Sequence, residues 1–235
     1  MPVLGRPLLD LQLERIARCT AIGEVVVATT TSERDTPVAD LCRRLGVPVF
    51  RGSEQDVLDR YYQAALFARA ETVVRFTADC PLLDPQVTDR TVRLFLDGPE
   101  PYAYVSNAVP PSFPDGLDTE VFSAEALATA WREAVEPAHR EHVTPFLWEQ
   151  PDRFRIGVLR CDVDLSSLRW TVDYPADLEF VRGVYEALYA TKPGFGMEDV
   201  LELLERQPAM ASINGGLVRN EWYVQLVAAR AQRGG

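Results

Sequence analysis

Basic charge is in short supply: 24 Lys and Arg stand against 35 Asp and Glu in 235 residues, a formal net charge of −11. Such a surplus repels nucleic-acid backbones and anionic bilayers, so neither nucleic acid nor membrane is an expected partner. A small phosphorylated ligand stays open, provided a cation or a local Arg cluster neutralises it. No apolar run approaches the ~20 residues of a membrane span. The N-terminus also lacks the basic-then-apolar pattern of a signal peptide. Cysteine is sparse: Cys19, Cys42, Cys80 and Cys161 are widely separated and form no CxxC pair. Reduced, buried thiols in a cytoplasmic protein are therefore expected. Histidine occurs only at His139 and His142, and His139-Arg140-Glu141-His142 is not HExxH, so a zinc site has no support. GxSxG, GxGxxG and GxxxxGK[ST] are all absent, which removes the main evidence for a serine hydrolase, a dinucleotide fold or a P-loop.

What is present is an ordinary globular balance, 47% hydrophobic and 25% charged. Apolar spacing predicts a helix over Pro7 to Cys19, then a β-branched strand from Glu24 to Thr29. Thr36-Pro37 reads as a cap and first-turn proline for a helix ending at Gly46. Val47 to Phe50 predicts a strand, and Ser53-Glu54-Gln55-Asp56 a capping box on a helix reaching about Ala70. Thr72 to Thr77 is the next strand, and Asp84-Pro85 opens another helix. This alternation implies a parallel sheet covered on both faces.

Further on, Tyr102 to Ser106, Thr119 to Phe122, Phe154 to Cys161 and Leu168 to Val172 read as strands. Ser123 caps a helix to about Val135, Ala138 to Gln150 is helical with a break at Pro145, and Pro175 opens a helix to about Tyr189. Two more helices are expected, near Met197–Glu205 and Arg219–Ala231. With no repeat, linker or composition shift, residues 1–235 are expected to form one domain, the helices from about 197 being an appendage.

In open α/β sheets, ligands bind beyond the carboxyl ends of strands. Asp79 and Asp173 both fall at such positions, and a pair of carboxylates suits Mg²⁺, with phosphates and waters completing its octahedron. The structural alternative is that each caps the following turn. Arg51-Gly52-Ser53 follows a strand and either approaches a phosphate or ribose or forms a capped surface turn. Asp115, Asp118 and Glu120 crowd six residues beside a proline-rich loop, as a hydroxyl-binding loop or a solvated acidic turn. Arg140 and His142 are candidate substrate contacts or structural side chains.

Six ordered stretches carry a resemblance: Gly5-Arg6-Pro7-Leu8-Leu9; Phe50-Arg51-Gly52-Ser53-Glu54 with Asp56 to Tyr61; Arg75 to Leu82; Phe113 to Asp118; Arg140 to Pro145; and Arg169 to Leu178. Together they resemble the cytidylyltransferase family of spore-coat polysaccharide biosynthesis protein F, related to the synthetases of CMP-sialate and CMP-Kdo. The resemblance implies a three-layer nucleotide-diphospho-sugar transferase fold of the GT-A type with a mostly parallel central sheet. It implies that an oxygen of an acidic sugar attacks the α-phosphate of CTP and pyrophosphate leaves. It places Mg²⁺ on Asp79 and Asp173, the nucleotide near Arg51, Ser53 and Thr77, and the acceptor near Asp115, Asp118, Glu120, Arg140 and His142. A homodimer is the oligomer it suggests.

One departure stands out. Family members open with a strand and a loop of the form Ala-Arg-x-x-Ser-x-Arg-Leu-Pro-Gly-Lys, whereas this chain starts beside its end, at Met1-Pro2-Val3-Leu4-Gly5-Arg6. Loss of that strand would leave the sheet centre with an apolar edge. A start codon placed too late is the expectation. A glycosyltransferase on the same fold, or an inactive truncated binding module, are the alternatives in function.

Overall fold

The computed structural model describes residues 2–217; the helix expected near Arg219–Ala231 lies outside them. A short hairpin of β1 (Pro2–Val3) and β2 (Arg6–Pro7) leads into α1 (Leu8–Ile16). Then follow β3 (Val27–Thr30), α2 (Thr36–Leu45), β4 (Val49–Gly52), α3 (Val57–Ala68), β5 (Thr72–Arg75) and α4 (Pro85–Leu96). The second half contains β6 (Tyr104–Ser106), β7 (Glu120–Ser123), α5 (Ala124–Glu133), α6 (Pro137–His142), α7 (Pro145–Trp148) and β8 (Ile156–Val158). It closes with α8 (Pro175–Leu188), α9 (Met197–Arg206) and α10 (Pro208–Ala211).

The strands form two separate layers of pairing besides the hairpin. β3 and β4 pair in parallel, and a four-stranded sheet has the order β5-β7-β6-β8. In the latter, β6 and β8 are parallel and β7 is antiparallel to both β5 and β6. Hence β5, β6 and β8 share a direction and β7 alone runs against them. β6 is wholly buried, whereas β4 and β5 are only half-buried along their length.

Local chemistry accounts for the boundaries. Asp56, three residues beyond Ser53, caps α3 by accepting from the Asp59 amide at 2.9 Å, so the helix starts later than the Ser53 box predicts. Ser53 Oγ instead accepts from the Asp56 amide at 3.0 Å and closes the turn before it. Thr36 is already helical, because Asp35 turns its carboxylate back onto the Thr29 and Thr30 hydroxyls. Gly46 ends α2 at φ +70°, a left-handed value that glycine adopts without strain. Ser123 caps α5 and Pro145 separates α6 from α7, as the sequence predicts. Leu168 to Val172 is not a strand: it makes one parallel bridge, between Asp115 and Arg169.

The principal core gathers Leu11, Leu82, Phe113, Trp170, Val181 and Tyr185, and α9 packs Val200 and Leu203 into the same cluster. A second cluster, around Leu58, Tyr104, Phe122 and Phe146, fills the space between the mixed sheet and α3, α5 and α7.

Candidate functional site

Strand direction collects three loops at one end of the mixed sheet. Residues 76–84 follow β5, residues 107–119 lie between β6 and β7, and residues 159–173 follow β8. Because β5 and β7 are antiparallel, Arg75 at the end of one stands directly opposite Glu120 at the start of the other. The pair forms a buried ion pair, and Glu120 also accepts from Tyr104 Oη at 2.7 Å and Thr144 Oγ1 at 2.5 Å.

Backbone contacts join the loop that carries Asp79 to the segment just before Asp173. The amide of Val172 donates to the carbonyl of Asp79 at 2.9 Å, and Thr171 Oγ1 donates to the same oxygen at 3.2 Å. Residues 92 apart in sequence therefore share a boundary. The Asp79 carboxylate accepts a weak S–H contact from Cys80 at 3.3 Å, and Asp173 is about half exposed. Burial, then the fields of Asp79 and Asp118, push the Cys80 thiol well up. Thr77 Oγ1 lies 3.3 Å from the same sulfur. The loops that carry Thr77, Asp79, Asp118 and Asp173 thus gather at one end of the mixed sheet, as an acidic rim.

Beneath the rim sits Arg169. Its Nε and Nη2 reach Asp177 Oδ1 and Oδ2 at 2.9 and 3.0 Å, its Nη2 reaches Asp173 at 2.5 Å, and its Nη1 lies 3.4 Å from Asp115. Burial opposes its charge, but the hydrogen bonds it donates to Asp177 and Asp173, with the field of Asp115, prevail and hold it protonated above its usual range. Asp177 is held low in turn: burial would raise it, and Arg169, Asn214 and the amides of Asp173 and Tyr174 outweigh that. Gly116 makes the arrangement possible. At φ +101° its missing side chain lets the loop lie against Trp170, whose carbonyl carbon would stand 2.6 Å from a Cβ.

The remaining sequence-derived candidates are placed as follows. Asp115 is buried against Arg169 rather than on the rim, and Glu120 is buried in the Arg75 pair. His142 is half-buried close to that pair: burial, then Arg75, lower its pKa while Glu141 and Glu120 oppose them. Arg140 is spent on α3, donating to Asp56 and to the Trp131 carbonyl. Arg51 donates to the carbonyls of Thr30 and Ser32 at 2.8 and 2.7 Å and so shapes the loop after β3. Ser53 adjoins it, and its carbonyl accepts from Arg60.

Three residues were not singled out: Arg75 and Arg169, which the motifs contained, and Asn107, which they did not. Asn107, fully buried, accepts from the Thr119 amide and donates to the Leu117 carbonyl, fixing Asp118 between them. A buried Arg or Asn has no periodic signature, so only its place beside a strand end could have flagged it.

The donor chemistry fits a divalent cation. Two carboxylates from adjoining loops supply hard oxygen, and Mg²⁺ commonly takes one or two of them with phosphates and waters. Among the described residues no cluster of three or more His, Cys, Asp or Glu forms a self-sufficient cage. A bound phosphate chain would have to complete the shell. Nor is any helix among the described residues long and apolar enough to cross a membrane.

Comparison with known proteins adds an independent line. A family model described as cytidylyltransferase matches residues 1–201. An uncharacterized protein of Methanocaldococcus jannaschii is 33% identical over 220 residues, 93% of this chain and 87% of that one. The spore coat polysaccharide biosynthesis protein SpsF of Bacillus subtilis is 28% identical over 218 residues, 90% of this chain and 88% of its own. A solved cytidylyltransferase structure from Leptospira borgpetersenii superposes with a TM-score of 0.85 at 29% identity, covering 90% of this chain and 88% of that one.

Proposed function

The chain belongs to the cytidylyltransferase family, and from that premise we propose that it transfers a cytidylyl group from CTP to an oxygen of an acidic sugar, producing a precursor for a surface polysaccharide. The observation that carries the reading is the hydrogen-bonded junction of the Asp79 and Asp173 loops at the carboxyl end of the sheet. The acidic sugar rests on the motif resemblance to the CMP-sugar synthetases, and the polysaccharide on the spore-coat relative.

In this reading Asp79 and Asp173 hold Mg²⁺, which supplies charge neutralisation for the triphosphate in a protein whose own net charge would repel it. Arg169 orients Asp173, and the Thr171 and Val172 contacts fix the backbone of Asp79. Arg51 organises the loop after β3, where with Ser53 and Thr77 it forms the nucleotide side. Asp118, held by Asn107 through its neighbours, orients an acceptor hydroxyl. Asp115, Glu120 and Arg140 act from behind as positioning groups, and His142 borders the acceptor side. Chemistry is then in-line attack on the α-phosphorus with pyrophosphate leaving, catalysed by placement and electrostatics and with no covalent enzyme intermediate.

The test is pyrophosphate release from CTP and Mg²⁺ with a panel of acidic sugars, beside calorimetric titration of Mg²⁺-CTP. Asp79→Asn and Asp173→Asn should each cut turnover at least about 100-fold while leaving the circular-dichroism spectrum unchanged. Wild-type turnover or wild-type Mg²⁺-CTP affinity in both variants would remove these residues from the centre.

A further inference from the structure

The ion-pair hub beneath the rim includes one residue from a part of the chain that the proposed chemistry leaves out. The family model matches residues 1–201, and beyond it α10 and the turn that follows fold back onto α8. Met210 packs over Gly183 of α8, where a Cβ would stand 3.2 Å from its methyl carbon, and Ile213 packs against the principal core. The next residue, Asn214, is buried. Its Nδ2 donates to the Arg169 carbonyl and to Asp177 Oδ1, each at 2.9 Å.

Three features set this contact apart from an ordinary anchor. First, a carbonyl and a carboxylate can only accept, so the amide must face them with its nitrogen and use both of its hydrogens. Second, the two bonds close a ring. Asn214 holds Arg169 at its carbonyl, Asp177 holds Arg169 at its guanidinium, and Asn214 holds Asp177. Third, the other oxygen of that carboxylate reaches the site. Asp177 Oδ2 accepts from the amides of Asp173 and Tyr174 at 3.1 and 3.0 Å, while the guanidinium bonds the Asp173 carboxylate. Asp173 is therefore fixed, at its backbone and at its side chain, by the two groups that Asn214 joins.

We propose that Asn214 is a positioning residue for Asp173, so that residues 208–214, beyond the stretch that the family model matches, complete the working site. It acts through Asp177 and Arg169 rather than on a reactant. The inference rests on the proposed function only in taking Asp173 as a ligand of Mg²⁺. Groups that hold a ligating side chain from behind set its orientation, and their loss weakens metal binding although the ligand itself is intact. Order in residues 208–214 and order at Asp173 are thereby linked.

Two variants of the full 235-residue chain test it. Asn214→Ala removes both hydrogen bonds, whereas Asn214→Asp keeps the shape, removes both and sets a carboxylate against Asp177. Hydrogen exchange at the amides of Asp173 and Tyr174 should quicken at least about 10-fold in Asn214→Ala and further in Asn214→Asp, with the buried amides of 180–185 unchanged. Calorimetric titration should show Mg²⁺-CTP affinity about 10-fold or more below wild type in Asn214→Ala, and lower again in Asn214→Asp. Were Asn214 only filling space, Asn214→Asp would match wild type and Asn214→Ala alone would suffer. That order overturns the proposal, as does wild-type exchange at 173 and 174, or wild-type Mg²⁺-CTP affinity, in both variants. Quickening shared equally by 180–185 would mark a general loss of stability and also count against it. Asn214→Ala decides alone where the added charge keeps Asn214→Asp from folding. A wild-type chain that binds no Mg²⁺-CTP would remove the proposed function, and amide exchange would still decide whether Asn214 places Asp173.

Discussion

Arg169 grips both oxygens of Asp177, at 2.9 and 3.0 Å, and reaches past it to Asp173 at 2.5 Å. A fully buried carboxylate thereby fixes the guanidinium that orients a half-exposed one. Lysine cannot reproduce that fork. Arg169→Lys should therefore cost up to about 3–5 kcal/mol in urea unfolding, the scale of a broken buried pair. It should lower pyrophosphate release more than tenfold even where the protein stays folded.

The same carboxylate sets a pH dependence. Asp177 is held below its ordinary value, so its contribution to stability is complete above about pH 4 and disappears as pH falls through its lowered folded value. Thermal melts from pH 7 to pH 2.5 should show a steep loss at the acid end. Asp177→Asn should start from a lower melting temperature at pH 7 and show a shallower acid slope. An unchanged slope would mean that other carboxylates, such as Asp89, dominate.

Glu120 is predicted to act through its neighbours. Glu120→Gln leaves the Arg75 guanidinium buried without a counter-charge, a loss of about 3–5 kcal/mol for a broken buried pair. Since Glu120 opposes the downward pull of burial and Arg75 on His142, the imidazole should titrate still lower in the variant. Following the His142 C2 proton by NMR from pH 4 to 8 reads this directly, and an upward movement would contradict the geometry.

Gly116→Ala meets two obstacles together, a φ of +101° and the Trp170 backbone at 2.6 Å. Strain of this kind costs about 1–3 kcal/mol where the backbone yields. Differential scanning calorimetry should register it as a lowered melting temperature. Activity should fall further than stability, because the same loop carries Asp115 and Asp118.

The legible part of this chain was its punctuation. Gly46, Ser123, Pro145 and Pro175 stop or start helices where their chemistry requires, and Asp79 lies in the loop after β5, whereas Asp173 follows no strand. Side-chain engagement was not legible. Asp115 and Asp118 sit three apart in one acidic run, yet Gly116 turns the first inward to Arg169 while Asn107 keeps the second beside the rim. Nor could the pattern of Glu24 to Thr29 tell how far a strand extends, since strand length depends on a neighbour that local sequence does not contain. Leu168 to Val172 failed for the same reason: its β-prone residues find one bridge partner, in a loop.

Asp84 reaches from one helix to another. Its Oδ1 accepts the Gln86 and Val87 amides at the head of α4, while its Oδ2 accepts the Met197 amide at the head of α9, 113 residues away. One side chain thus latches two helices, and it does so five residues after Asp79. Through this one carboxylate α9 is tied to the loop after β5, so trimming that helix is expected to slacken the loop that carries Asp79.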